Sequence, residues 1–203
     1  MLNIEFWNER HYKLMKNKVI ALIGKSGSGK DTILQKLDEA DNVHSIISCT
    51  TRPMRQGEIP DYSYHFLTPE LFNEYDRSGQ LLESTYFKGW HYGTPKYEIK
   101  KNKINVGVFN PAGIHSLLKQ PDIDLTVYWI TASDKTRLLR QLNREDSPDV
   151  AEIIRRYGTD ENDFSEINFE YTELKNETPD DIYNAVDYIM EKVQINSALG
   201  TSN

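Results

Sequence analysis

The chain has 203 residues, 38% of them hydrophobic, with 24 basic against 31 acidic side chains and a net charge of −7. That length holds one sizeable α/β domain with room for inserted subdomains, and the acidic balance argues against a nucleic-acid or anionic-membrane binder, which would show a basic face. The single cysteine, Cys49, excludes a disulfide within the chain and suits a reducing cytoplasm. Residues 1–17 lack the apolar stretch of a signal peptide, and no run approaches the length of a transmembrane helix. They are expected to form a short extension before the first strand.

In chain order, residues 18–23 are a short apolar run suited to a buried parallel strand. The string Gly24-Lys25-Ser26-Gly27-Ser28-Gly29-Lys30-Asp31-Thr32 follows, then a helical pattern at Ile33, Leu34 and Leu37. Residues 43–48 read as a second strand, 50–61 as a turn-rich segment and 64–67 as a strand. Thr68 caps a helix with Pro69 at its first position, ending near Gly79. Residues 81–87 and 90–92 read as a hairpin across Lys88 and Gly89. Residues 96–103 are expected to be helical, 104–109 a strand, 112–118 a helix and 125–130 a strand. Ser133 caps a helix running to Arg144. A loop covers 145–149, a helix 150–157, a weak alternation 168–174 and an amphipathic helix 179–193. Strands alternating with helices imply a parallel sheet covered on both faces.

Strand, glycine-rich loop and helix N-terminus are the context in which a GxxxxGK sequence binds phosphate. Backbone N–H groups in such a turn point inward, and Lys30 reaches the outer phosphates. The position after the lysine is normally Ser or Thr; here it is Asp31. A nucleoside triphosphate, ATP with Mg²⁺, is the expected ligand of residues 24–32.

Downstream stand Ser48-Cys49-Thr50-Thr51-Arg52-Pro53-Met54-Arg55-Gln56-Gly57-Glu58, then Tyr64-His65-Phe66, Gly79-Gln80-Leu81-Leu82-Glu83 and Gly89-Trp90-His91-Tyr92-Gly93-Thr94. In order and spacing this set resembles the monophosphate-binding region of guanylate kinases, with SxTTRxxRxGE, YxF, GxxxE and GxxYG[ST]. With the phosphate loop, the resemblance covers roughly residues 18–195. It implies a three-layer P-loop α/β fold with a central parallel sheet, a small β-rich monophosphate-binding insert and a short helical lid. The core takes about residues 18–48, 98–136 and 157–195, the insert 49–97 and the lid 137–156.

The side chains suit that reading. Arg52 and Arg55 can fork onto a phosphate dianion, and Tyr64 and Tyr92 can add hydroxyl donors. Guanine presents N1–H and N2–H₂ side by side, which the Glu83 carboxylate would accept together. Adenine offers an acceptor at N1 and would leave that carboxylate unpaired. Ser48 and Thr94 can donate to guanine O6. Taken singly, the same residues also fit ordinary surface, strand and turn roles; their order beside a phosphate loop favours function. Arg140 and Arg144, four apart, are expected to share a helix face. With Arg155 and Lys30 they would neutralise the moving phosphoryl group while the lid excludes water. Arg137 and Arg156 have no matching role and are expected to be solvated.

Two departures qualify the resemblance. Asp31 replaces the Ser/Thr whose hydroxyl binds Mg²⁺, so Asp31 is the metal-ligand candidate. Val108 and Asn110 stand where guanylate kinases carry D-x-D. A GKD[ST] loop and an Asn at the second position resemble ribose 1,5-bisphosphate phosphokinases. The leading expectation is an ATP-dependent kinase of GMP or dGMP, with Asn110 among the substrate-binding residues, cytoplasmic, as monomer or homodimer. A kinase of ribose 1,5-bisphosphate or a modified nucleotide is the alternative. A non-catalytic phosphopeptide-binding module is disfavoured by the intact Gly24, Gly29 and Lys30.

Overall fold

The first strand, β1 (Asn17–Ile23), is buried on both faces: Val19, Ala21 and Ile23 point one way, Ile20 and Leu22 the other. That pattern belongs to a parallel strand between helix layers. The computed structural model describes residues 16–54, 57–87, 89–144 and 147–201, with side chains as far as Val193, Phe87 excepted. The expected N-terminal extension before residue 16, together with Arg55 and Glu145, lies outside the described residues.

After β1 the loop of residues 24–29 leads into α1 (Lys30–Asp38) and then β2 (Val43–Ser45). The chain next builds a second sheet: β3 (Cys49–Thr50), β4 (His65–Phe66), α2 (Pro69–Arg77), β5 (Leu81–Phe87) and β6 (Trp90–Pro95). It returns through a 3₁₀ turn (Lys96–Glu98) to β7 (Ile104–Val108), α3 (Pro111–Leu117) and β8 (Ile123–Thr131). Helices α4 (Asp134–Leu142) and α5 (Val150–Asp163), strand β9 (Thr172–Lys175) and α6 (Pro179–Thr201) complete it.

The main sheet is parallel in the order β2-β7-β1-β8-β9. One face packs Ile20, Leu22 and Ile130 against Ile33 and Leu37 of α1 and Ile189 of α6. The other packs Val19, Ala21 and Val127 against Ile114 and Leu117 of α3, with Phe164 and Phe169. The second sheet, β4-β3-β6-β5, has its own small core of Cys49, Phe72 and Leu81. Because β1 and β7 are neighbours, the loops after them open side by side at the carboxyl end of the sheet, where α/β folds place ligands.

Several elements differ from their sequence reading for local reasons. Residues 96–103 are not a helix. Beyond the 3₁₀ turn, Asn105 accepts from Lys100 N and donates to the Lys100 and Lys103 carbonyls, winding the segment into a turn. The second strand stops at Ser45, since the chain leaves the main sheet to start β3. Helix α4 ends at Leu142, so Arg144 lies past it and does not share a helix face with Arg140. Helix α5 continues six residues beyond the expected Tyr157, because its far end packs on the phosphate loop. Strand β9 is shorter than the alternation over 168–174 suggests.

Candidate active site

The loop after β1 is held from outside by its carbonyl groups. Arg137 Nη1 and Gln141 Nε2 donate to Ser26 O at 3.4 and 3.5 Å, Arg140 Nη1 to Gly27 O at 3.4 Å, and Asn176 Nδ2 to Ser28 O at 2.7 Å. A trans peptide sets C=O and N–H on opposite sides, so the Gly27 and Gly29 amides face the concavity. Gly29 caps α1 with φ +95°, and a side chain there would run into the Asn176 amide. Only glycine fits that position.

Lys30 opens α1, and burial pulls its ammonium below the usual lysine range, opposed by the charges of Asp31 and Asp160. Its one hydrogen bond among the described residues is to Lys25 O at 3.3 Å, which leaves most of its donor capacity unspent. Asp31 and Thr32 are exposed in the first turn of α1. Lys25 pairs with Glu161 at 2.6 Å, and Ser26 N donates to Asp160 Oδ2 at 2.6 Å. Ser28 Oγ is buried without a partner among the described residues.

Arg137, expected to be solvated, is 1% exposed. It bonds Asp134 at 2.9 Å, lies 3.5 Å from Asp160 and stacks 4.7 Å over the Tyr157 ring. It is the bolt between α4, α5 and the loop. Its signal was present in the i, i+3, i+4 spacing of Arg137, Arg140 and Gln141, which puts all three on one face. Asn176, fully buried, had no signal beyond a turn-forming residue before α6.

In the second sheet, antiparallel pairing sets Glu83 opposite Thr94. Thr94 Oγ1 donates to Glu83 Oε1 at 2.8 Å, and Ser48 Oγ is 3.4 Å from Thr94 Oγ1. Burial raises the Glu83 carboxyl to about 7, against the lowering effect of the Thr94 bond. Its other oxygen faces the first turn of α3, within 3.4 Å of where a Gly113 Cβ would stand. Asn110 caps that helix, accepting from Gly113 N at 2.7 Å. The Asn110 side-chain oxygen thus serves the backbone with one lone pair, which leaves its second lone pair and its NH₂ for a ligand.

Arg52 is buried, 5.6 Å from the Tyr64 ring centroid, with its fork on Glu58 at 2.6 and 3.1 Å. The fork expected for a phosphate is occupied by a carboxylate. Tyr64 and Tyr92 meet edge to face at 6.2 Å. Burial lifts the Tyr64 hydroxyl above its usual range, with the negative charge of Asp31 next in size. The head of α1 in the core is thus near enough for its charge to act on Tyr64 of the second sheet. Arg155 is not turned toward them: Glu152 holds its Nε at 2.7 Å and Nη2 at 2.9 Å, and Arg156 shares the same acid. Arg144 is exposed.

The donor set of loop amides and Lys30 fits a polyphosphate, and Arg140 stands on the outer side of the same loop. Among the described residues no three His, Cys, Asp or Glu side chains gather to hold a metal on their own. The one exposed carboxylate in the first turn of α1, Asp31, would be the side chain to hold a Mg²⁺, which would supply charge neutralisation beside bound phosphates.

A guanylate kinase family model matches residues 16–193. A guanylate kinase of Nostoc sp. is 38% identical over 94 residues, 46% of this chain and 47% of that protein. One of Chlorobium luteolum is 40% identical over 78 residues, covering 38% and 40% respectively. The matched segments thus span a little under half the length of these relatives. The crystal structure of guanylate kinase from Anaplasma phagocytophilum superposes with a TM-score of 0.65 at 18% identity, covering 90% of this chain and 87% of that one. That superposition establishes the fold. The family model covers the phosphate loop, the second sheet and both helices that brace the loop, and by it the chain belongs to the guanylate kinase family.

Proposed function

We propose that the protein transfers the γ-phosphoryl group of ATP to GMP or dGMP in the cytoplasm, giving ADP and the nucleoside diphosphate. One observation carries this reading: Glu83 is a partly buried, threonine-held carboxylate of the second sheet, set against the first turn of α3, in a chain whose phosphate loop ends in Lys30 with most of its donors unspent. The carboxylate suits the N1–H and N2–H₂ edge of guanine, with Ser48 and Thr94 hydroxyls near O6. Tyr64, Tyr92 and Arg52 then surround the acceptor phosphate, and Arg52 reaches it by exchanging the Glu58 carboxylate for phosphate oxygens. Arg55 belongs to the same group by sequence.

The loop amides and Lys30 bind the donor phosphates, and Arg140 reaches the phosphoryl group in transit by turning away from the Gly27 carbonyl and Asn176. Phosphoryl transfer needs alignment and charge neutralisation more than covalent help. Mg²⁺, held by Asp31, supplies further neutralisation when it is bound with ATP. Arg155 joins only by leaving Glu152, and Arg144 only by movement of the segment after α4.

An assay of ADP release over all nucleoside monophosphates and ribose 1,5-bisphosphate tests this. Turnover with GMP or dGMP is expected. Turnover confined to another acceptor overturns the guanine assignment. Glu83→Gln sharpens the choice, because it should cut kcat/KM for GMP by about 10²-fold or more and leave a baseless sugar phosphate untouched.

A further inference from the structure

Two chain segments join the main sheet to the second sheet, residues 46–48 outward and 96–103 back. Glu98, on the returning segment, is 5% exposed and reaches across to the other crossing. Its Oε2 accepts from Ile47 N at 3.0 Å and lies 3.4 Å from His44 Nε2, on β2 of the main sheet. Its Oε1 lies 3.2 Å from His65 Nε2, on β4 of the second sheet. The far nitrogen of His65 meets Asp61 at 2.7 Å, and the His65 ring packs edge to face on Tyr97 at 5.7 Å.

A carboxylate is tolerated inside a protein only when its oxygens are well bonded. Here one oxygen accepts from the outgoing crossing at Ile47 N, with His44 of the main sheet 3.4 Å away but outside hydrogen-bond geometry, and the other meets His65 of the second sheet. Rotation of one sheet against the other would strip a partner from a buried charge. His65 adjoins Tyr64, and Tyr64 packs with Tyr92 and Arg52. The phosphate loop is braced separately, by α4, α5 and Asn176.

We propose that Glu98 is a positioning residue that fixes the angle of the second sheet on the core, and so places Tyr64, Arg52 and Glu83 against the phosphate loop. The kinetic part of this rests on the GMP kinase reading; the geometric part does not.

Two measurements separate them. Spin labels on Gln35→Cys in α1 and Glu74→Cys in α2 report the distance between core and second sheet without substrate. Glu98→Ala should broaden or shift that distance distribution, while Glu98→Gln, which keeps an acceptor for Ile47 N–H, should retain it. In steady-state kinetics Glu98→Ala should raise KM for GMP about tenfold and KM for ATP by less than about twofold. Glu98→Gln should recover most of the loss. Should Glu98→Ala fail to fold, His65→Ala removes only the second-sheet partner and should move the distance and the GMP KM in the same directions. An unchanged distance distribution overturns the proposal. So does a parallel rise in both KM values. Absence of GMP turnover in the parent protein defeats the kinase reading and leaves the distance test standing.

Discussion

Burial holds the Glu83 carboxyl at about 7, so its charge changes within the working range of an enzyme. Only the ionised form accepts both guanine donors. The kcat/KM for GMP should therefore rise with pH and level off above about 7, falling roughly tenfold per unit below it. A profile flat from pH 5.5 to 8 would remove Glu83 from base recognition. Stability runs the other way. An acid raised from 4.5 on folding stabilises the folded state below 4.5, and that contribution is lost as pH rises through about 7. Relative to the parent, ligand-free Glu83→Gln should gain Tm between pH 5 and pH 8. The role proposed for Glu83 comes from the order of motifs, whereas its shifted acidity has no signal there, because burial depends on α3 folding over β5.

Helices α4 and α5 act on the loop through Arg137. Replacing it with Ala leaves Asp160 partly buried without its guanidinium and should cost about 3 kcal/mol, read as a Tm drop of about 6–12 °C. Arg144→Ala, at an exposed position beyond the helix end, should stay within about 0.5 kcal/mol. Equal losses in the two variants would contradict the bolt. Asn176→Ala removes the clamp on Ser28 O and should raise KM for ATP about tenfold at a cost of about 1–3 kcal/mol. A change in the GMP KM alone would show that Asn176 does not brace the donor side. Most element types were legible from hydrophobic spacing and caps: Thr68 and Ser133 both cap as side-chain acceptors. Boundaries were less so, since residues 96–103 follow a side chain, Asn105, that sits beyond the segment itself.

Over the whole molecule, the proposed donor and acceptor sites stand on different sheets, and a ligand at either should stabilise the chain. Saturation at about 100 times Kd adds ~2.7 kcal/mol per ligand, so GMP or an ATP analogue should each raise Tm by about 5–10 °C. Stabilisation by AMP and not by GMP would count against the guanine site. Among the described residues no helix is long and apolar enough to cross a membrane. The sequence alone determined the parallel α/β core and the strand–loop–helix setting of residues 24–32, and it supplied the ordered motifs from which the acceptor site is proposed. Those depend on local backbone geometry and on residue spacing, which are written linearly. Only the tertiary structure decided that Arg137 is buried, that Glu58 and Glu152 occupy the forks of Arg52 and Arg155, that Asn110 caps α3 and that Asn176 clamps the loop. The burial of Arg137 and the reach of Asn176 join residues from different elements and have no signature in spacing; Arg52, Arg155 and Asn110 meet partners only three to six residues away, and spacing alone did not decide which of their possible partners each would take.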